Sequence, residues 1–194
     1  AANLPESRSS LSADYCVVGS GMVGLVTART LLGYGASVVL VDFGYHKYNR
    51  IAQDLNSGFS GPFGHWPYPN FPVSNQRIRA IGGTSMIWGG WCREMNDWDF
   101  TANDKCDISW PFPFSELKPF YKEARKALGV NEEEVTTDAV PPSVLAPLIV
   151  SSINCASETF REDLLSSLLS EDNFTLIPGF TLVGLPVNNN TVTT

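Results

Sequence analysis

Polarity along the first part of the chain changes period at two points. Tyr15-Cys16-Val17-Val18 is an unbroken apolar run between Asp14 and Gly19. Such a run reads as a short strand buried in a parallel sheet. From Met22 to Leu32 the spacing becomes helical: Leu25, Ala28, Leu31 and Leu32 share a face, and Gly33 and Gly35 supply the stop. Ser37 to Val41 is a second β-branched run, closed by Asp42. The three segments predict a strand, a helix and a strand within about 30 residues, the size of a βαβ unit.

The pattern then breaks. Residues 43–76 show no period and interleave Pro62, Pro67, Pro69 and Pro72 with Phe59, Phe63, Trp66, Tyr68 and Phe71. A loop this long is functional or disordered, and its aromatics favour a packed cover over a free linker. After RAIGGTSMIWGG (79–90), the segments DWDF and SWPFPF are again irregular and aromatic. Ser115 is expected to cap a helix whose first turn tolerates Pro119, whose stripe is Leu117, Phe120, Tyr121, Ala124 and Leu128, and which ends at Gly129. Residues 131–147 read as a surface connection. A last helix over about 157–169 is expected to bury Phe160, Leu164, Leu165 and Leu168, with a strand at 174–177 and no closing element in the polar NNNTVTT. This divides the chain into a flexible arm at 1–12, a nucleotide-binding domain at 13–130, and a connection at 131–194 that starts a further segment without completing it.

Composition narrows the function. At 194 residues, 43% hydrophobic and 17% charged, the chain is an ordinary globular protein with room for one real core. A net charge of −7 argues against a nucleic-acid partner, which calls for clustered Lys and Arg. Cys16, Cys92, Cys106 and Cys155 are scattered without a CxxC pair, and His46 and His65 lie far from them, which argues against zinc. The thiols are expected to be buried and free, with a Cys92–Cys106 disulfide as the alternative. No apolar run is long enough to span a membrane. The start, AANLPESRSS, has neither Met nor a signal-like apolar stretch, and reads as processed or trimmed. Sequons at Asn173 and Asn189 would matter in a secreted protein; the compartment stays open.

Gly19-Ser20-Gly21-Met22-Val23-Gly24 is GxGxxG, placed after a strand and at the start of a helix. Asp42 closes the next strand, near the ~20-residue spacing of the acid in a dinucleotide fingerprint. Each glycine has its own physical role. Gly19 permits the tight turn, Gly21 allows backbone approach to a pyrophosphate, and Gly24 allows close helix–strand packing. The helix N-terminus offers unpaired N–H groups to the anion, so no lysine is needed. Asp42 would accept from ribose hydroxyls.

The fingerprint alone does not separate FAD from NAD. The second glycine cluster does. Gly82-Gly83-Thr84-Ser85 is expected to form another close-approach loop, with hydroxyls and N–H groups aimed at the ligand. Trp88-Gly89-Gly90 would set a flat side chain and bare backbone near a planar group. Extended FAD needs such a second cradle; a nicotinamide dinucleotide seldom does. The bland alternative is a glycine-rich bend packed on the core.

DYCVVGSGMVGLVTARTLLGYGASVVLVDFG, RAIGGTSMIWGG and DISWPFPFSELKPFYKEARKALGV together resemble the N-terminal half of a glucose–methanol–choline (GMC) oxidoreductase, over nearly residues 14–130. Within that family the likeness is to the branch of pyranose oxidase and the flavoprotein subunits of sugar and polyol dehydrogenases. The resemblance implies an α/β, Rossmann-like FAD/NAD(P)-binding fold, incomplete in this chain. It implies that Gly19, Ser20, Gly21, Met22, Gly24 and Asp42 hold the ADP half of FAD, and that Gly82, Gly83, Thr84, Ser85, Gly89 and Gly90 line the stretch toward the flavin. Arg79 is a further candidate, with a structural role as the alternative. Trp88 stands where some relatives carry an asparagine near the flavin, and either packs in the core or touches the ring.

Two departures from the family matter. Pyranose oxidases attach FAD through a histidine where this chain has Ile87; isoleucine cannot form that bond, so FAD is expected to be non-covalent. The family's catalytic His–His or His–Asn pair comes from the C-terminal half, and no residue here matches it. His46 and His65 are expected to be loop residues. The implied activity is oxidation of an alcohol or sugar carbinol by hydride transfer to flavin, with a second chain or further segment carrying the missing half. The alternatives are another FAD oxidoreductase, such as an amine oxidase or hydroxylase, and a non-catalytic binding module.

Overall fold

Strand β1 (Tyr15–Val18), helix α1 (Met22–Gly33) and strand β2 (Val38–Asp42) form the expected βαβ unit, with β1 and β2 parallel and Val18 level with Val41. The computed structural model describes residues 11–57, 74, 76–101, 109–130, 154–155, 160–184, 187–188 and 191–192. Helix α2 (Arg50–Asp54) follows, inside the stretch without period; its start is fixed by Asn49, whose side chain accepts from the Ala52 N–H. Five residues are too few for a period to show. The remaining elements are β3 (Trp91–Cys92), α3 (Phe114–Leu117), α4 (Tyr121–Ala127), β4 (Asn154–Cys155), α5 (Phe160–Leu169), β5 (Phe174–Pro178) and a short ladder of β6 (Val187–Asn188) with β7 (Thr191–Val192). Two compact units result, Ala1–Ile87 with Arg161–Thr194, and Trp88–Phe160.

In the first unit β5 adds to β2 in parallel, giving the order β1-β2-β5 with Val38 level with Phe174 and Asp42 level with Pro178. Val38 and Leu40 point to one face of the sheet, because strand side chains alternate. There they meet Leu25 and Ala28 of α1, Leu164, Leu165 and Leu168 of α5, and Ile81 and Phe174 in one buried core. Fully burying each such aliphatic side chain stabilises the fold by about 1.5–3 kcal/mol. The last helix and strand, which the sequence boundary at 130 assigns to a further segment, therefore belong with the βαβ unit. Their leucine stripe and the Val38/Leu40 face are two halves of one core. The ending, expected to lack a closing element, carries the β6–β7 ladder, with Val187 level with Val192 and Asn188 with Thr191.

One expectation for β1 is corrected. Its apolar run predicts burial, but Tyr15 is 51% and Val18 52% exposed, and the Cys16 thiol is free and exposed rather than buried. Among the described residues β1 is hydrogen-bonded along one edge only. At the amino end of the sheet, Asp14 accepts from the N–H (2.8 Å) and hydroxyl (2.7 Å) of Ser37, and its own N–H donates to Ser37 Oγ at 2.9 Å. These bonds hold the Asp14 carboxyl below its ordinary pKa. Beside them, Asn173 Nδ2 donates to the Ala36 carbonyl at 2.7 Å.

In the second unit, DWDF forms a 3-10 turn over Asp97–Phe100 under a reciprocal Asn96/Asp99 cap. Phe100 is buried among Trp110, Phe112 and Phe114 at ring separations of 5.4–6.0 Å. The helix expected from Ser115 starts earlier, with Pro113 as its cap, and tightens to a 3-10 turn over Lys118–Phe120 before α4. Pro119 has no N–H to give to the Ser115 carbonyl, so the α-helical ladder cannot run through it. Of the expected stripe, Phe120 and Ala124 are exposed.

Candidate functional site

The carboxyl ends of β1, β2 and β5 lie level, the edge at which open α/β sheets bind ligands. Gly19 leaves β1 with φ +98°, a left-handed conformation that glycine adopts at no steric cost, and its N–H donates to the Val41 carbonyl at 2.8 Å. Gly24 packs the helix onto the loop: a Cβ there would lie 1.9 Å from the Gly19 carbonyl oxygen. Gly21 differs from both. Its φ of −59° suits any residue, and a Cβ there would meet no protein atom within 4 Å. Neither backbone conformation nor packing explains this glycine. What it leaves bare is the floor of a groove.

That groove, about 630 Å³, is lined by Val17, Val18, Gly19, Gly21, Met22, Val23, Gly24 and Thr27, and by Gly82, Thr84 and Ser85. Its size falls within the range of small-molecule sites. The first turn of α1 opens into it with no side-chain cap and no acidic residue. The first intrahelical bond runs from the Leu25 N–H to Gly21, so the preceding N–H groups of the helix start have no helical acceptor. Such an end attracts an anion.

Asp42 is tied into the loop. Its Oδ2 accepts from the Ser20 N–H (2.6 Å) and the Ser20 hydroxyl (2.7 Å), and Oδ1 accepts from the Gly44 N–H (2.5 Å). Asp42 is partly exposed and Ser20 wholly buried, and neither lines the groove. Gly44 is not singled out by the sequence, yet a Cβ there would lie 2.4 Å from the backbone of Ala80. Its only sequence signal is its place two residues after the acid.

The second glycine cluster reaches the first. Gly82 is left-handed (φ +97°) and begins a 3-10 turn over Gly83–Met86, and a Cβ on Gly83 would touch the Gly21 Cα at 3.4 Å. Two of the N–H groups expected to face a ligand are used internally: Gly82 donates to Ser20 Oγ at 3.0 Å and Gly83 to the Ala80 carbonyl at 2.7 Å. The Ser85 hydroxyl is likewise spent on the Gly82 carbonyl at 2.6 Å, while Thr84 is exposed on the groove wall. Tight turns consume their own polar groups. Arg161 of α5, also missed from the sequence, braces this turn: its stem would lie 2.3 Å from a Cβ on Gly82, and Nη1 donates to the Ile81 carbonyl at 3.3 Å.

Arg79 is drawn away from the groove. Its Nε donates to Asn56 Oδ1 at 2.6 Å, its guanidinium lies 5.0 Å from the Phe43 ring centre, and its N–H donates to buried Gln53 at 2.9 Å. Gln53 also donates to the Ser74 and Arg77 carbonyls, so this corner is a structural clamp. Trp88, Gly89 and Gly90 belong to the second unit, where Trp88 is half-buried, Gly89 exposed and Gly90 left-handed at φ +71°. Ile87 and His46 are exposed. His65, Cys106, the aromatic stretch 59–71, the connection at 131–147 and the Asn189 sequon lie outside the described residues.

No family model matches the chain. It is 27% identical over 128 residues to the 6'''-hydroxyparomomycin C oxidase of Streptomyces lividus, covering 60% of this chain and 23% of that protein. It is 28% identical over 189 residues to the fructose dehydrogenase large subunit of Gluconobacter japonicus, covering 80% and 35%. Its fold is similar to that of pyridoxine 4-oxidase from Mesorbium loti, with a TM-score of 0.55 and 16% identity over 93% of this chain and 45% of that one. The chain thus spans well under half the length of the curated relatives it matches. The relatives and the solved neighbour are oxidoreductases of the GMC family, the chain is similar to them, and it shares their Rossmann-like α/β fold.

Proposed function

We propose that this chain supplies the FAD-binding part of an oxidoreductase that converts an alcohol or sugar carbinol to a carbonyl. The observation that carries the proposal is the groove at Gly21, where a side chain would meet no protein atom and the glycine itself stands at the N-cap of a helix without a side-chain cap. The residues present fit FAD. The N–H groups at the start of α1 would hold its pyrophosphate. Asp42, with three of its roughly four lone-pair sites filled by Ser20 and Gly44, keeps an acceptor for a ribose hydroxyl. Thr84 offers a hydroxyl from the groove wall. FAD when bound supplies the hydride acceptor, and the protein supplies position.

Ile87 supports non-covalent attachment, since it carries no nucleophile. The relatives' names, an oxidase of 6'''-hydroxyparomomycin C and a dehydrogenase of fructose, support a sugar or related alcohol as substrate. The proton of the carbinol needs a base within hydrogen-bond reach. That base, and the substrate pocket, are assigned to the rest of the fold, on the same polypeptide or on a second chain. Among the described residues the outer edge of β1 is unpaired, with Tyr15 and Val18 exposed, which favours such a completing segment. The term "large subunit" in one relative's name is in keeping with a multi-chain assembly.

The test is an absorption spectrum of the protein from its native source, with acid release of the chromophore and an intact mass beside it. A flavin spectrum released by acid is expected, and a co-purifying chain would locate the missing half. A colourless protein that takes up neither FAD nor ADP overturns the proposal.

A further inference from the structure

Ser20 lies in the fingerprint, yet it is wholly buried and lines no part of the groove. A hydroxyl has one proton to donate and two lone pairs to accept with. Here the proton goes to Asp42 Oδ2 at 2.7 Å and a lone pair takes the Gly82 N–H at 3.0 Å. The result is a continuous path from the Gly82 amide through the Ser20 hydroxyl to the Asp42 carboxylate. In such a chain each bond polarises the next. It joins two segments 62 residues apart in sequence. Nothing else among the described hydrogen bonds connects the second glycine turn to the acid.

We propose that Ser20 is a positioning residue: its hydroxyl sets the Asp42 carboxylate toward the ribose and locks the Gly82 turn to that carboxylate, so the adenosine end and the second glycine cluster respond to ligand as one unit. The proposal rests on the reading that Asp42 meets a ribose. Asp42 has two protein-bonded oxygens, and only its remaining acceptor capacity can read a hydroxyl; which direction that capacity points depends on the bonds already made. Gly82 has no freedom to compensate. Its backbone is left-handed, the Arg161 stem fills the space a side chain there would need, and its N–H is buried, so losing the Ser20 acceptor leaves that donor unpaired.

The experiment compares ADP with 2′,3′-dideoxy-ADP, by calorimetry, on the unmutated full chain and on Ser20→Ala, with Ser20→Thr as the variant that retains a hydroxyl. The unmutated protein is expected to prefer ADP. Ser20→Ala is expected to reduce that preference by about 10- to 150-fold, the worth of one hydrogen bond to a charged group, while binding of the dideoxy analogue falls much less. Ser20→Thr should restore part of the preference. General loosening of the fold would weaken both nucleotides alike and leave the ratio unchanged, and an unchanged ratio overturns the proposal. If the unmutated protein binds neither nucleotide, the FAD reading fails and this proposal with it; if it prefers ADP and Ser20→Ala does so equally, only this proposal fails. Should Ser20→Ala not fold, amide exchange on the unmutated protein decides. The Gly82 amide is expected to exchange slowly, and more slowly still with ADP bound. Fast exchange at Gly82, or exchange indifferent to ADP, overturns the coupling.

Discussion

Replacing Gly21 with alanine separates a ligand-driven glycine from a structural one. With φ −59° and ψ 172° the backbone accepts alanine, and the new methyl meets no protein atom within 4 Å. Two opposing stability terms remain. Alanine narrows the unfolded ensemble, which stabilises by about 0.4–1 kcal/mol. It is also a poorer helix cap than glycine, which costs a similar amount, about 0.5–1 kcal/mol. The net change is expected within about 0.5 kcal/mol, a shift in Tm of no more than ~2 °C for a chain of this size. Binding should behave otherwise. The methyl occupies the floor on which a pyrophosphate would lie, and crowding of that kind costs roughly 1–3 kcal/mol, or about 5- to 150-fold in Kd. Thermal melts and ADP or FAD titrations on the same preparation check both halves. Undiminished affinity at unchanged Tm would refute the groove as the phosphate site. A large loss of stability would refute the claim that Gly21 has no packing role.

Gly24→Ala should do the reverse, since its Cβ would lie 1.9 Å from the Gly19 carbonyl oxygen. The helix-propensity gain of about 1 kcal/mol is outweighed by lifting α1 off the loop, for a net loss of about 2 kcal/mol. Gly33→Ala, which faces open space in the same helix, should be neutral or gain up to ~1 kcal/mol, and equal melts for the two variants would sink the packing argument. Asp14 has its folded pKa lowered by the Ser37 hydrogen bonds, so its contribution is present above the unfolded value and lost as pH falls through the folded one. Asp14→Asn should therefore flatten the acid side of the Tm–pH curve in that window, and an unchanged curve would show the staple to be inert. Asn173, with its amide nitrogen on the Ala36 carbonyl, should carry no glycan when the chain is made in a glycosylating host; peptide mass spectrometry reads this directly.

Local signals carried well. The βαβ unit was legible because β1, α1 and β2 each declare themselves by period and are punctuated by Gly19, Gly35 and Asp42. The loop was legible for the same reason: Gly19 answers to a left-handed turn and Gly24 to close packing, while Gly21 meets no demand within the protein. What the sequence hid was long-range. That β5 pairs with β2, and that α5 covers Val38 and Leu40, cannot be read from either segment alone. The exposure of β1 was missed because an apolar run does not say how many neighbours it has. At the site, the second glycine cluster packs on the first loop, a contact that no motif announces, and the N–H groups of Gly82 and Gly83 and the Ser85 hydroxyl, expected to face a ligand, meet acceptors within the protein. Their partners, Ser20, Ala80 and the turn's own carbonyl, become visible only in three dimensions. Gly44 and Arg161 escaped notice because steric fit between distant segments leaves no motif.

The sheet order β1-β2-β5 also has a consequence for biosynthesis. The ribosome adds about 5–20 residues per second, so Phe174 follows Asp42 by on the order of ten seconds. For that interval the nascent βαβ unit holds Val38 and Leu40 under α1, joined by Ile81 but lacking the leucines of α5 that later cover the same face. The open edge of β2 waits for β5 over the same period. The Val38/Leu40 face is thus translated early and fully covered late, so its apolar surface stays open to solvent for most of the chain's synthesis.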